Sequence, residues 1–154
     1  MDIQLNLNTE TVEEAKSEMT LIVQTGTSVH DVFHQMREND KGSVLVCEDK
    51  KLLGIFTERD AVKLMADDAN LDVAIDEVMV SNPVTIHRNA SIAEAVQMMS
   101  KGGFRRLPIV DDDDRLFGWV KVSGILGFFV DHFPETVFNL PPKPNVVMPE
   151  REGA

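Results

Sequence analysis

The chain has 154 residues, 43% hydrophobic and 27% charged, with 15 Lys and Arg against 26 Asp and Glu and a formal charge of −11. That is the balance of a folded domain with a core of its own, and the acidic excess excludes a nucleic-acid backbone as main partner, because such binders gather Lys and Arg. The single cysteine excludes an internal disulfide framework and, with no apolar run near the roughly 20 residues of a membrane span and no basic stretch ahead of an apolar core at Met1-Asp2-Ile3-Gln4, predicts a soluble protein in the cytoplasm.

In chain order, residues 1–20 form an N-terminal segment in which Thr9 to Ala15 reads as a short acidic helix capped by Thr9 or Thr11. Leu21-Ile22-Val23 is β-prone, and Gly26 breaks it. Val29, Val32, Phe33 and Met36 then recur at helical spacing behind Ser28, an N-cap with Asp31 three residues on. Lys41-Gly42 leads into a strand from Ser43 to Cys47, a charged turn at Glu48 to Lys51, a second strand from Leu52 to Phe56, and a helix after Thr57. A linker over residues 67–79 carries a short helix near Val73 to Val78. The order then returns: a short strand at Val84-Thr85-Ile86, a helix capped by Ser91 with Ile92, Ala95, Val96 and Met99 on one face, strands from Leu107 to Val110 and from Leu116 to Val120, and a helix from about Val122. Residues 131–154 are a separate tail. Pro134, Pro141, Pro142, Pro144 and Pro149 predict an extended or disordered end, and Phe128, Phe129, Phe133 and Phe138 need an apolar surface to cover, on the domain or on a second copy.

The two halves are one repeat. Ser28 to Ser91 and Met36 to Met99 are offset by 63, and Gly54 to Gly118 and Val46 to Val110 by 64, which places one added residue in the helix-to-strand connection. Each half, residues 21–66 and 80–130, reads β-α-β-β-α. Neither buries its apolar surface alone, so the two are expected to pack as an α+β pair about a pseudo-twofold axis.

Chemistry concentrates at Gly54-Ile55-Phe56-Thr57-Glu58-Arg59-Asp60. Thr57 and Asp60 suit a helix cap and its first turn. They equally suit a hydroxyl and a carboxylate that hold a ligand in a cleft. The second half starts its helix with Lys121 in place of Thr57 and Gly124 in place of Asp60, so capping alone does not demand the pair. Cys47 ends an apolar strand and reads as a small core residue. The run from Asp111 to Asp114 reads as a solvated turn, lacking the alternating oxygen ligands and Gly of a calcium loop. His30 and His34 lie four apart, a metal-compatible spacing with no third ligand in view, and nothing brings them or His87 to Asp60 for acid–base work. No catalytic or metal-binding residue is assigned.

The two repeats resemble a tandem, stand-alone pair of CBS domains, modules named after cystathionine β-synthase, over residues 21–130. Gly54 to Asp60 matches that family's Gly-h-x-Thr/Ser-x-x-Asp motif in full, and Phe104-Arg105-Arg106-Leu107-Pro108-Ile109-Val110-Asp111 is similar to its basic-then-Leu-Pro-Val-Val-Asp strand. The resemblance implies a Bateman-type regulatory module that is no enzyme and requires no cofactor. Its implied ligand is an adenosine nucleotide (AMP, ADP or ATP), with S-adenosylmethionine as an alternative. Asp60 would accept the ribose hydroxyls and Thr57 would touch ribose or phosphate. Physically, one carboxylate can accept both vicinal hydroxyls and a helix start favours phosphate. Lys41, Gly42, Arg105 and Arg106 are the expected phosphate-facing positions, and Val84 and Thr85 border the base, as Ile22 does at the pseudo-symmetric point. The second cleft has lost its anchor at Gly124, so one competent site per chain is expected. The resemblance further implies a homodimer through the repeat helices, by exposed faces at Val29 to Met36 and Ile92 to Met99, and a regulated protein partner. A ligand-independent interaction scaffold is the competing expectation.

Overall fold

The computed structural model describes residues 7–17 and 20–132. Ser28 and Ser91 cap equivalent helices, as the spacing predicts. The Ser28 hydroxyl accepts the Asp31 N–H at 3.1 Å at the head of α1 (Val29–Glu38), and Ser91 does the same for Glu94 at 3.1 Å ahead of α3 (Ile92–Gly102). Val29, Val32 and Met36 on α1, and Ile92, Ala95 and Met99 on α3, are buried. These are the faces expected to be exposed for dimerisation. They lie inside the cores instead, because each repeat must cover its own sheet before it can offer a surface. Of that predicted α3 face only Val96, 40% exposed, reaches solvent, and the most exposed apolar side chains fall on α2 (Glu58–Ala66) and α4 (Val122–His132), where Val62, Met65 and Leu126 are 59%, 58% and 60% exposed.

Two four-stranded mixed sheets carry these helices. The first has the order β2 (Leu21–Gln24), β3 (Ser43–Glu48), β4 (Lys51–Thr57), β5 (Val80–Ser81); the second has the order β1 (Lys16–Ser17), β8 (Leu116–Lys121), β7 (Arg106–Val110), β6 (Ile86–His87). β2–β3 and β6–β7 are parallel and the remaining pairs antiparallel. Each sheet takes its outermost strand from across the chain: β1 precedes the first repeat yet joins β8, and β5 follows the linker yet joins β4.

Alternation along β3 explains how the repeats meet. Val44 and Val46 pack beneath α1 with Val29, Val32 and Phe56, while Leu45 and Cys47, on the other face, cluster with Leu52, Val110 and the partly buried Ile22, Ile55 and Leu116. A third cluster under α3 and α4 holds Leu107, Ile109, Val120 and Phe128. At the hairpin tips the Leu52 N–H donates to Asp114 O at 3.1 Å and the Leu116 N–H to Lys50 O at 2.9 Å, bracketing a bridge between Lys51 and Arg115. Residues 51 and 115 are counterparts in the repeat, and a pseudo-twofold axis passes between such a reciprocal pair.

Strand register corrects where the added residue lies. Ser43 faces Thr57 and Val46 faces Gly54, while Arg106 faces Lys121 and Ile109 faces Gly118. The offset is therefore still 63 along β3 and β7 and becomes 64 only after the hairpin. The extra residue sits in the acidic turn after Val110, not in the helix-to-strand connection. A run of similar apolar residues hides a one-residue slip from sequence reading. The longer turn is self-organised: the Asp111 carboxylate accepts the N–H groups of Arg115 at 3.0 Å and Asp113 at 2.9 Å, and these bonds hold its carboxyl below the usual carboxylate range.

Three local expectations also change. Thr11 to Lys16 makes i→i+3 turns rather than a helix, because Val12 is fully buried and gives its N–H to Ala90 O at 2.9 Å. The linker helix is a single 3-10 turn, Ile75–Glu77, pinned by buried Ile75 and its N–H to Thr27 O at 2.7 Å. Val84 and Thr85 precede β6 instead of forming it; Pro108, the next residue along β7, has no N–H with which to extend the ladder. Phe128 is 6% exposed in the second core and Phe129 packs against that core. The expectations for Phe133, Phe138 and the proline tail lie outside the described residues.

Gly54 faces the first core, and a Cβ there would collide with the Met79 thioether. Gly54→Ala is expected to cost about 1–3 kcal/mol by overpacking, read as a lower urea midpoint. An unchanged midpoint would mean that Met79 moves aside freely.

Candidate functional site

β4 runs directly into α2 at Thr57, whose extended backbone (φ −125, ψ 166) makes it the N-cap. The Asp60 Oδ2 accepts both the Thr57 N–H and the Thr57 hydroxyl, each at 2.9 Å, and the Asp60 N–H points back at Thr57 Oγ1 at 3.4 Å. The capping box is thus real, and it fixes the carboxylate in one orientation. It uses only one carboxylate oxygen: among the described residues none donates to Oδ1, and Asp60 is half-buried. The box leaves an aimed, preorganised acceptor.

One cation reaches the same corner from the other repeat. Ser43 pairs with Thr57 across β3–β4 and, at 2% exposure, is the one buried polar residue among those described. Its hydroxyl accepts Arg106 Nη1 at 3.1 Å. Next to it, the Gly42 carbonyl takes the Glu58 N–H at 3.0 Å and ties the strand entry to the first turn of α2. Gly42, Ser43, Thr57, Asp60 and Arg106 are therefore joined by strand pairing and hydrogen bonds at the end of the sheets opposite the hairpins.

The other predicted positions are placed less closely. Arg105 accepts the Val122 N–H at 3.0 Å through its carbonyl, mirroring Gly42 and Glu58, and its side chain is exposed. Lys41 is exposed, and with Gly42 it lines a cavity of about 350 Å3 between α1 and α2 that reaches Glu58 and Met65 but neither Thr57 nor Asp60. Val84 is 46% exposed and Thr85 half-buried on the segment between β5 and β6. Ile22 borders a different cavity, of about 410 Å3, with Gln24, Cys47, Lys50 and Leu116.

The register puts Lys121 opposite Arg106, in the position of Thr57, and Gly124 in that of Asp60. α4 begins there with no acidic residue in its first turn. Sequence reasoning missed two residues. Ser43 was visible as the lone hydroxyl opening an apolar strand. Trp119 was visible as the aromatic standing where the first repeat has Ile55.

Elsewhere the side chains have other occupations. Cys47 is 1% exposed and burial pushes its thiol pKa up, away from a nucleophile's. His30 and His34 are exposed, with ring centroids 4.7 Å apart, and His87 Nε2 lies 2.8 Å from Asp112 Oδ1. Among the described residues no three His, Cys, Asp or Glu side chains gather as metal ligands, and no helix is long and apolar enough to cross a membrane.

Known proteins share this fold. The CBS domain family model matches residues 12–67 and 75–131. An uncharacterized protein of Methanopyrus kandleri is 41% identical over 105 residues, covering 66% of this chain; the matched stretch spans only 53% of that relative's own length. The crystal structure of CBSX2 in complex with AMP superposes with a TM-score of 0.71 at 21% identity, over 80% of this chain and 98% of the other. The CBS domain pair of protein MJ0100, in complex with 5′-methylthioadenosine and S-adenosyl-L-methionine, gives a TM-score of 0.67 at 23% identity, again over 80% and 98%. At these identities the two structures speak for the fold. With two family matches, the hairpin-to-hairpin axis and the complete motif at Gly54 to Asp60, the chain belongs to the CBS domain family as a tandem pair of its repeats.

Proposed function

We propose that this CBS pair is a non-catalytic regulatory module that binds one adenosine nucleotide, AMP, ADP or ATP, in the first cleft and signals its presence to a protein partner. The observation that carries the reading is the corner where one repeat presents Asp60, fixed by Thr57 with an oxygen to spare, and the other presents Arg106 beside it on Ser43. Oδ1 is the acceptor for vicinal ribose hydroxyls. The N-terminal N–H groups of α2 and the Arg106 guanidinium are the donors for phosphate. The complexes of CBSX2 with AMP and of the MJ0100 pair with adenosine-type ligands support the ligand class. S-adenosylmethionine remains the alternative within it, since its adenosine half would use the same Asp60. The apolar side chains on α2 and α4, Val62, Met65 and Leu126, support a homodimer through those helices.

Calorimetric titration with AMP, ADP, ATP and S-adenosylmethionine tests the reading. At least one is expected to bind at millimolar strength or tighter with one molecule per chain, and binding by none overturns it. Arg106→Met is expected to weaken AMP by on the order of 10- to 100-fold, the worth of a hydrogen bond to a charged group, while leaving adenosine within about twofold. Equal losses for both ligands would remove Arg106 from the phosphate site.

A further inference from the structure

The second cleft differs from the first in more than its missing carboxylate. Trp119 follows Gly118 as Ile55 follows Gly54, so an indole stands where the first repeat has a small aliphatic chain. The residue is only 2% exposed. Two cations lie on its ring, each 5.0 Å from the centroid: the Arg106 guanidinium and the Lys121 ammonium. Lys121 holds the position of Thr57, which places the indole at the polar end of the second cleft. Arg106 reaches the indole while bonded to Ser43, its own counterpart in the first repeat. The Nε1–H is buried with no hydrogen-bond partner among the described residues. An indole selected for packing in a sheet interior normally gives this donor an acceptor. Here the ring's faces are satisfied by cation–π contact and its N–H is not. The open space on this side is displaced to the hairpin end, in the cavity of Ile22, Gln24, Cys47, Lys50 and Leu116, which holds no carboxylate for a ribose.

We propose that Trp119 is the residue that closes the second cleft: its bicyclic ring fills the room a purine would occupy, and Lys121 and Arg106 hold it there by its π face. This rests on the nucleotide reading of the first cleft. Loss of the anchor at Gly124 removes affinity, and Trp119 removes the space, so restoring the motif alone does not restore a site.

The test counts AMP per chain by calorimetry. One is expected for the wild type and one for Lys121→Thr/Gly124→Asp, which regains Thr-x-x-Asp but keeps the indole. Two are expected for Trp119→Ile/Lys121→Thr/Gly124→Asp. A second AMP in the double variant, or none gained in a folded triple variant, overturns the proposal. Should the triple variant not fold, Trp119→Ile in an Asp60→Ala background carries the test with free adenine as probe. Adenine is then expected to raise the melting temperature of that variant and not of Asp60→Ala alone, and no shift overturns the proposal. If the wild type takes no AMP while the triple variant takes one, the first-cleft reading falls and the closure by Trp119 stands.

Discussion

Asp60→Ala is expected to lower AMP affinity by about 100-fold or more. Two hydrogen bonds from ribose hydroxyls to one ionised oxygen are each worth about 1.5–3 kcal/mol, and about 1.4 kcal/mol is a factor of ten. The same substitution removes half of the capping box, so it also costs fold stability, about 0.5–2 kcal/mol by the usual value of a cap. The two losses separate through Asp60→Asn, which keeps a side-chain oxygen for the Thr57 N–H and hydroxyl. That variant should recover most of the urea midpoint while still binding AMP at least about tenfold more weakly than the wild type, because a neutral amide is a poorer acceptor than a carboxylate. AMP affinity unchanged in both variants would mean that Asp60 is a cap and nothing more. α4 starts without an equivalent pair, so the fold should survive either change.

Leu45→Ala carries the largest expected effect on stability. Leu45 is fully buried between the two sheets, in the cluster with Cys47, Leu52 and Val110. Truncating such a residue costs about 2–5 kcal/mol, the upper end applying where neighbours cannot collapse into the space. Here both walls are strands whose positions are fixed by the reciprocal hairpin bonds of Lys50, Leu52, Asp114 and Leu116, so the upper half of the range is expected. Chemical denaturation measures it, and a loss below about 1 kcal/mol would show that the repeats do not depend on this contact. The cluster also holds the first cleft's two walls together, so nucleotide affinity should fall with stability rather than independently of it.

Much of this was legible in the residues. Ser28 and Ser91 as caps, the helix faces behind them, both hairpins and the Thr57–Asp60 pair follow from periodicity and cap chemistry, because each depends on neighbours within about four residues. What the sequence hid depends on register and on contacts made far along the chain. A one-residue slip between Val46 and its partner looked equally good with Val110 or Ile109, and only the ladder decides. The turns at Thr11 to Lys16 replace a plausible helix because Val12 is claimed by Ala90, a contact made about 80 residues away. The same slip bears on the site. With the offset held at 63 along β7, Gly42 corresponds to Arg105 and Ser43 to Arg106, so the guanidinium that crosses to Ser43 is reaching for its own counterpart. Lys41 falls opposite Phe104 and leaves the set of equivalent basic positions.

The central claim is that an adenosine nucleotide sits between Asp60 of one repeat and Arg106 of the other. Two-dimensional 1H–15N NMR of the uniformly labelled chain, titrated with AMP, tests it most directly. The predicted result is a saturable set of amide shifts confined to Gly42 and Ser43, Thr57 to Asp60, Val84 and Thr85 beside the base, and Arg105 and Arg106, with the hairpin tips at Lys51 and Arg115 unmoved. Shifts centred on the hairpin tips or on Lys121 to Gly124, or none at millimolar AMP, would contradict it.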